Sequence, residues 1–362
     1  MKNNFNKNIE NGLFKGTPIY IGVSIILIIG LIFSILTAIT IGSVDISIRD
    51  VYKVVFYNIF SIGDEKSMPS LATQDIVWFI RLPRILLATC VGMGLSVSGL
   101  IMQAIVKNPL ADPYILGISS GAYLGATSAI LLGVGRSLGP NYVGICGFLG
   151  AFIVSLLVIS MANINGRSNS TKLLLSGMAL SALCSAFSSF IVFFSKDKEK
   201  MRSVIYWLMG SLAGANWENI NFIFPIIILS TIFFITQYRT LNLMLLGDEV
   251  SITLGKDLHI YRQIYLFVTS LIIGLIVYSA GIIGFVGLII PHITRMLFGT
   301  DHKKIIPITT LFGSIFLIWA DVLSRIIIPG SELPIGILIS MIGTPTFIYL
   351  MITKSYGFGG GR

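Results

Sequence analysis

Ten apolar runs, nearly free of charge and all but one longer than 20 residues, constrain this chain more than any other feature. They fall near 18–41, 82–106, 114–134, 142–162, 173–195, 218–238, 261–281, 284–299, 304–326 and 333–353. A helix crossing a bilayer needs about 20 residues, so each long run is a candidate span. The run at 284–299 is short and is interrupted by Pro291. An outer-membrane barrel would instead show segments of about ten residues with alternating polarity. Charged residues make up 11% of the chain, against about 25% in soluble domains, too few to coat a soluble core. A hydrophobic content of 54% also excludes intrinsic disorder. The chain reads as an all-α polytopic membrane protein, one transmembrane domain over 1–362. The first run exceeds a signal-peptide core and lacks an Ala-x-Ala cleavage signal, so it reads as an uncleaved span.

Ten spans place both ends on one side. With both termini in the cytoplasm, 14 Lys/Arg fall inside and 11 outside, a weak positive-inside bias. The net charge of +9 is scattered between apolar runs, which fits orientation and partner contacts rather than nucleic acid. Three connections stand out. Residues 42–80 form a long outer connection with an amphipathic stretch, Val51 to Phe60, suited to a membrane surface. Residues 196–217 carry a charged run followed by a short amphipathic piece. Residues 239–260 have helical periodicity, two punctuating glycines and the acidic pair Asp248 and Glu249. That segment is either a solvated loop or a docking surface for a cytoplasmic partner.

Enzymatic and metal chemistry find little support. Gly117-Ile-Ser-Ser-Gly121 matches a nucleophile elbow but lacks the preceding strand. Extended to Gly125 it reads as a small-residue ridge for close helix packing. No P-loop occurs, so any ATPase must be another polypeptide. Cys90, Cys146 and Cys184 lie far apart inside apolar runs and read as packing residues. His259, His292 and His302 lack metal-ligand spacing; His259 and His302 read as solvated loop residues, and His292 as a structural residue or one lining a pathway. No catalytic or metal residues and no cofactor on this chain are expected.

Asn108 and Leu110 flank Pro109, with Pro113 close behind, in an inner connection that cannot continue as helix. They form either a tight connector or a constriction at the inner mouth of a pathway. Arg81 and Arg84 flank Pro83 where the second span begins, and Arg325 ends the ninth span on the same side. Asp321 lies one helical turn before Arg325, and the two can pair. The three arginines are either interfacial anchors or a cationic surface for the carboxylates of a docking protein.

Taken in order, several segments resemble the FecCD family, the permeases of iron–siderophore, haem and vitamin B12 ABC importers. They are Arg81-Leu-Pro-Arg84, Ser98 to Gln103, Asn108 to Pro113, Leu116 to Gly121, Trp207 to Gly210, Gly284 to His292, Asp301-His302, Ala320-Asp321, Glu332 to Gly336 and Gly343-Thr-Pro345. The resemblance implies the type II ABC importer permease fold, about ten helices in two inverted repeats, here about 18–200 and 201–353. It implies a second permease subunit (a homodimer or a close paralogue), two cytoplasmic ATPase subunits carrying ATP and magnesium, and an extracytoplasmic substrate-binding protein. The setting implied is the bacterial cytoplasmic membrane. Arg81, Arg84 and Arg325 would receive the binding protein. Asn108, Leu110, Ser168 and Asn169 would form the cytoplasmic gate. Residues 239–260, with Leu246, Gly247, Asp248, Glu249, Leu254 and Gly255, would couple to the ATPase. The family's commonest cargo is iron–siderophore, which is the expectation here, with haem or cobalamin as the alternative. An ion-coupled secondary transporter is the rival class, and it would need acidic residues near the midplane. Asp321 is the one acidic residue expected within a span and away from its first residue.

Overall fold

The computed structural model describes residues 17–42, 44–62, 67–164, 170–328 and 330–353. Among them, seven helices are long and apolar enough to cross a membrane, and three shorter apolar helices bring the set to ten. The helices are α1 (Thr17–Thr40), α2 (Ile48–Phe60), α3 (Leu71–Asp75), α4 (Leu82–Val106), α5 (Ile118–Leu132), α6 (Tyr142–Asn163), α7 (Ser170–Phe194), α8 (Lys198–Leu208), α9 (Trp217–Thr236), α10 (Tyr238–Leu246), α11 (Asp248–Thr253), α12 (His259–Ala280), α13 (Val286–Phe298), α14 (His302–Ile326) and α15 (Ile335–Thr353).

The organising element is α4. It is apolar on all sides, the mark of a helix enclosed by others, and α14, α13, α12 and α9 pack around it. In its most apolar stretch 89% of residues are buried, against 6% in α1 and 17% in α7. Those outer helices present Ile25, Ile26, Phe33, Phe187 and Phe193 outward, which only lipid or another subunit can cover. Closeness at the centre depends on missing side chains. A Cβ on Gly92 would collide with the backbone of Gly313 on α14, and one on Gly121 with the carbonyl of Gly150 on α6. Helix backbones come this near only where both faces are small.

Several expectations change on folding. The outer connection expected over 42–80 ends earlier, because α3 runs through a π-helical turn, Ile76–Arg81, directly into α4. Pro83 has no N–H and crowds the carbonyl four residues back, and a widened turn relieves that conflict without ending the helix. α2 forms where amphipathicity predicts it, but it buries Val51 and Val54 against the protein. Residues 239–260 become two short helices, α10 and α11, divided at Gly247, whose φ of 106° suits glycine. His302 is buried, not solvated: its Nδ1 lies 2.8 Å from Asn242 Oδ1, so α10 is pinned to the start of α14. The three cysteines are free and buried.

Candidate functional site

α4 is 25 residues long, about 37 Å at 1.5 Å per residue, and each of its ends carries a polar cluster. At the first end, Arg84 is buried in the opening turn. Its Nε donates to Asp321 Oδ1 at 2.9 Å, and its Nη1 donates to both carboxylate oxygens of Glu332 at 2.9 Å. Asp321, fully buried on α14, also lies 3.1 Å from Arg325 Nε. Arg325 Nη1 donates to Ile41 O at 2.9 Å. Arg81 donates through Nη1 to Ile39 O and Thr40 O at 3.1 and 3.0 Å, and through Nη2 to Val44 O. Arg81 and Arg325 therefore satisfy carbonyls at and just past the end of α1, which a helix terminus leaves without partners.

The sequence suggested arginines emerging at the surface. Instead, Arg81, Arg84 and Arg325 are only 4%, 6% and 8% exposed. The physical reason is that this junction supplies fixed acceptors for the three guanidiniums: two carboxylates and five backbone carbonyls. Glu332, with its side chain 48% exposed, is the carboxylate that reaches solvent. It stands in a matched motif yet carries no sequence-based role. The available signal was an acid in the short connection after Arg325.

At the opposite end, Lys107 closes α4 in a left-handed conformation with φ 55°. The next residue, Asn108, folds over itself: its Oδ1 accepts from Leu110 N at 2.9 Å, an Asx turn. Asp112 then caps the short helical turn Pro113–Leu116 by accepting from Tyr114 N at 2.8 Å. Burial pushes its carboxyl up to about 6, against the lowering effect of that hydrogen bond. Asp248, at the start of α11, accepts from Arg262 Nη2 at 2.6 Å and lies 3.9 Å from Lys107 Nζ. One carboxylate thus joins the α10–α11 turn, α12 and the end of α4. Around it, Leu246, Val250, Ile252 and Leu254 are exposed apolar side chains on short helices, and Glu249 is exposed as well. Gly255 follows with φ 78°. Ser168 and Asn169 lie outside the described residues. Among the described residues, no cluster of three or more His, Cys, Asp or Glu is placed to hold a metal.

Comparison with known proteins decides the family. Residues 29–353 match the FecCD transport family. The chain belongs to the FecCD transport family. It is 38% identical over 279 residues to the vitamin B12 import system permease protein BtuC of Salmonella typhi, covering 77% of this chain and 84% of that one. It is 40% identical over 282 residues to the cobalamin import system permease protein BtuC of Halobacterium salinarum, covering 77% and 73%. Among solved structures, an inward-facing transporter described as metal-chelate type superposes with TM-score 0.78 and 32% identity, covering 92% of this chain and 99% of that one. As a FecCD member the chain is the multi-pass permease subunit of an ABC importer with the type II permease fold. It is not itself an ATPase, and it works with an ATPase and a binding protein.

Proposed function

We propose that this permease imports a corrinoid of the cobalamin class, received from a binding protein at the Arg84 end of α4 and released at the Lys107 end. The observation that carries the cargo is the pair of named relatives at 38% and 40% identity, both permeases of vitamin B12 or cobalamin import systems. The iron–siderophore expectation gives way to the alternative weighed beside it. A ferric chelate is the second reading, favoured by the solved structure described as metal-chelate type.

In this reading two copies of the chain enclose the pathway, and two ATPase subunits with ATP and magnesium sit beneath it. Both termini and the Lys107 end face the cytoplasm, and 18–200 and 201–353 are the two inverted repeats. Arg81, Arg84 and Arg325 orient the binding protein. Leu246 to Gly255 enter the ATPase, a role supported by the exposed apolar side chains there. Motion of α10 and α11 reaches the gate at Asn108 and Leu110 through Asp248, Arg262 and Lys107, with Ser168 and Asn169 completing the gate. The chain makes and breaks no covalent bond in this cycle. Rigid helices tilt about the closely packed glycines, and the pre-bound cargo needs only shape and weak contacts.

The test is parallel uptake of cyanocobalamin and ferric siderophores in cells lacking their own permeases for both. The cells are supplied with this permease, its ATPase and its binding protein. Cyanocobalamin uptake that needs all three is expected. Uptake of ferric siderophore with none of cyanocobalamin overturns the cargo assignment.

A further inference from the structure

The Arg84 end contains a carboxylate that the docking role does not use. Glu332 grips Arg84 with both oxygens, yet about half of its side chain is exposed, while Arg84 and Asp321 are enclosed. A cavity of about 230 Å³ opens beside the pair, lined by Arg84, Tyr206, Ser211, Ser324 and Glu332 among others. The backbone around Glu332 is held: Leu333 N donates to Ser324 O and Gly336 N to Met209 O, each at 3.0 Å. Release of Glu332 therefore requires only its side chain to turn, and its exposed half leaves solvent to turn into while the cavity stays open. Arg84 would not collapse on release, because Nε remains on Asp321 while Nη1 becomes vacant.

These features describe a guanidinium fixed from behind by one carboxylate and covered in front by a removable one. We propose that Glu332 is a built-in stand-in for an acidic side chain of the binding protein: it occupies Arg84 in the free permease and yields that place when the partner's carboxylate enters the cavity. The exchange trades one bidentate carboxylate contact for another, so its cost in the bound state is small. Glu332 then acts as a competitor that keeps the resting permease from capturing unrelated acidic proteins. This inference rests on the arginine docking reading and concerns how that same site is regulated.

The two readings separate by experiment. Capture of the importer's binding protein by the assembled transporter in nanodiscs is measured as association rate and Kd, at low salt and at about 0.5 M salt, where screening shortens long-range attraction. If Glu332 covers Arg84 in about nine of ten molecules, Glu332→Gln should tighten capture about tenfold, because apparent affinity scales with the competent fraction. The gain should persist at high salt and vanish when Arg84→Gln is added. A gain that survives in the Arg84→Gln background is long-range charge alone and overturns the proposal, as does unchanged or weaker capture by Glu332→Gln. Weaker capture would mean that Glu332 itself contacts a cation on the partner. Capture that stays at wild-type strength in Arg81→Gln, Arg84→Gln and Arg325→Gln alike sinks the docking reading instead. Should Glu332→Gln fail to fold, Glu332→Asp keeps the charge, loosens the bidentate grip by one methylene, and should give part of the gain.

Discussion

Asp321→Asn tests whether charge holds the Arg84 end together. Asp321 is 0% exposed and is the carboxylate shared by Arg84, at 2.9 Å, and Arg325, at 3.1 Å. Removing one partner of a buried ion pair costs about 3–5 kcal/mol, because the remaining charge stays buried. The two arginines lose unequally here. Arg84 keeps Glu332, and the new amide oxygen can still accept from its Nε. Arg325 keeps carbonyl acceptors, Ile41 O at 2.9 Å and the backbone oxygen of residue 321 at 3.4 Å. The expected loss is that of one stranded guanidinium, about 3 kcal/mol, the low end of the range. Adding Arg325→Leu removes the stranded charge, so the double variant should regain roughly 1–2 kcal/mol, as coupled neighbours do. Denaturant midpoints in detergent, followed by tryptophan fluorescence, should rank wild type above the double variant and the double variant above Asp321→Asn. Equal midpoints for Asp321→Asn and wild type, or a double variant at the sum of both losses, would refute the argument.

Three further outcomes are expected. Leu246→Asp alters a side chain that is 61% exposed, so the fold should survive; a Leu buried in a partner cleft contributes about 1.5–3 kcal/mol, so uptake should be lost with ATP hydrolysis no longer stimulated by the binding protein, and normal stimulation would remove 239–260 from the coupling role. Replacing Asn108 and Leu110 together with Gly deletes the Asx bond at 2.9 Å and should make liposomes leak small solutes without ATP, whereas an unchanged leak rate favours a plain connector. Asp112 has a folded-state carboxyl raised from 3.8 to about 6, so its contribution to stability is full below the lower value and lost as pH rises through the upper one. Asp112→Asn can keep the cap to Tyr114 and should melt higher than wild type at about pH 7.5, with the difference shrinking toward pH 4; a difference that does not change with pH contradicts this.

The sequence alone determined the solvent, the class and the span pattern. Apolar runs such as 82–106 and 304–326 can be satisfied only by helices in lipid, since every backbone polar group must pair within its own segment. The FecCD motifs, read in order, likewise identified the family without coordinates. Helix limits near Gly247 and Pro113 were legible because glycine and proline act locally. What only the tertiary structure decided is where charges go. The Asp321–Arg325 pair, one helical turn apart, was legible, but Arg81, Arg84 and Arg325 looked like surface cations because their other acceptors lie far along the chain: Ile39 and Thr40 for Arg81, Ile41 for Arg325, and Asp321 and Glu332 for Arg84. His302 looked solvated because Asn242, 60 residues away, supplies its partner. The long helix from Leu71 through the π-helical turn was hidden for a related reason. Pro83 signals a helix start by local rules, and only packing of the flanking residues against α2 and α9 makes a continuous, widened helix the better solution. Pairings across such distances are set by how rigid elements meet, and residue type at a single position does not encode that meeting.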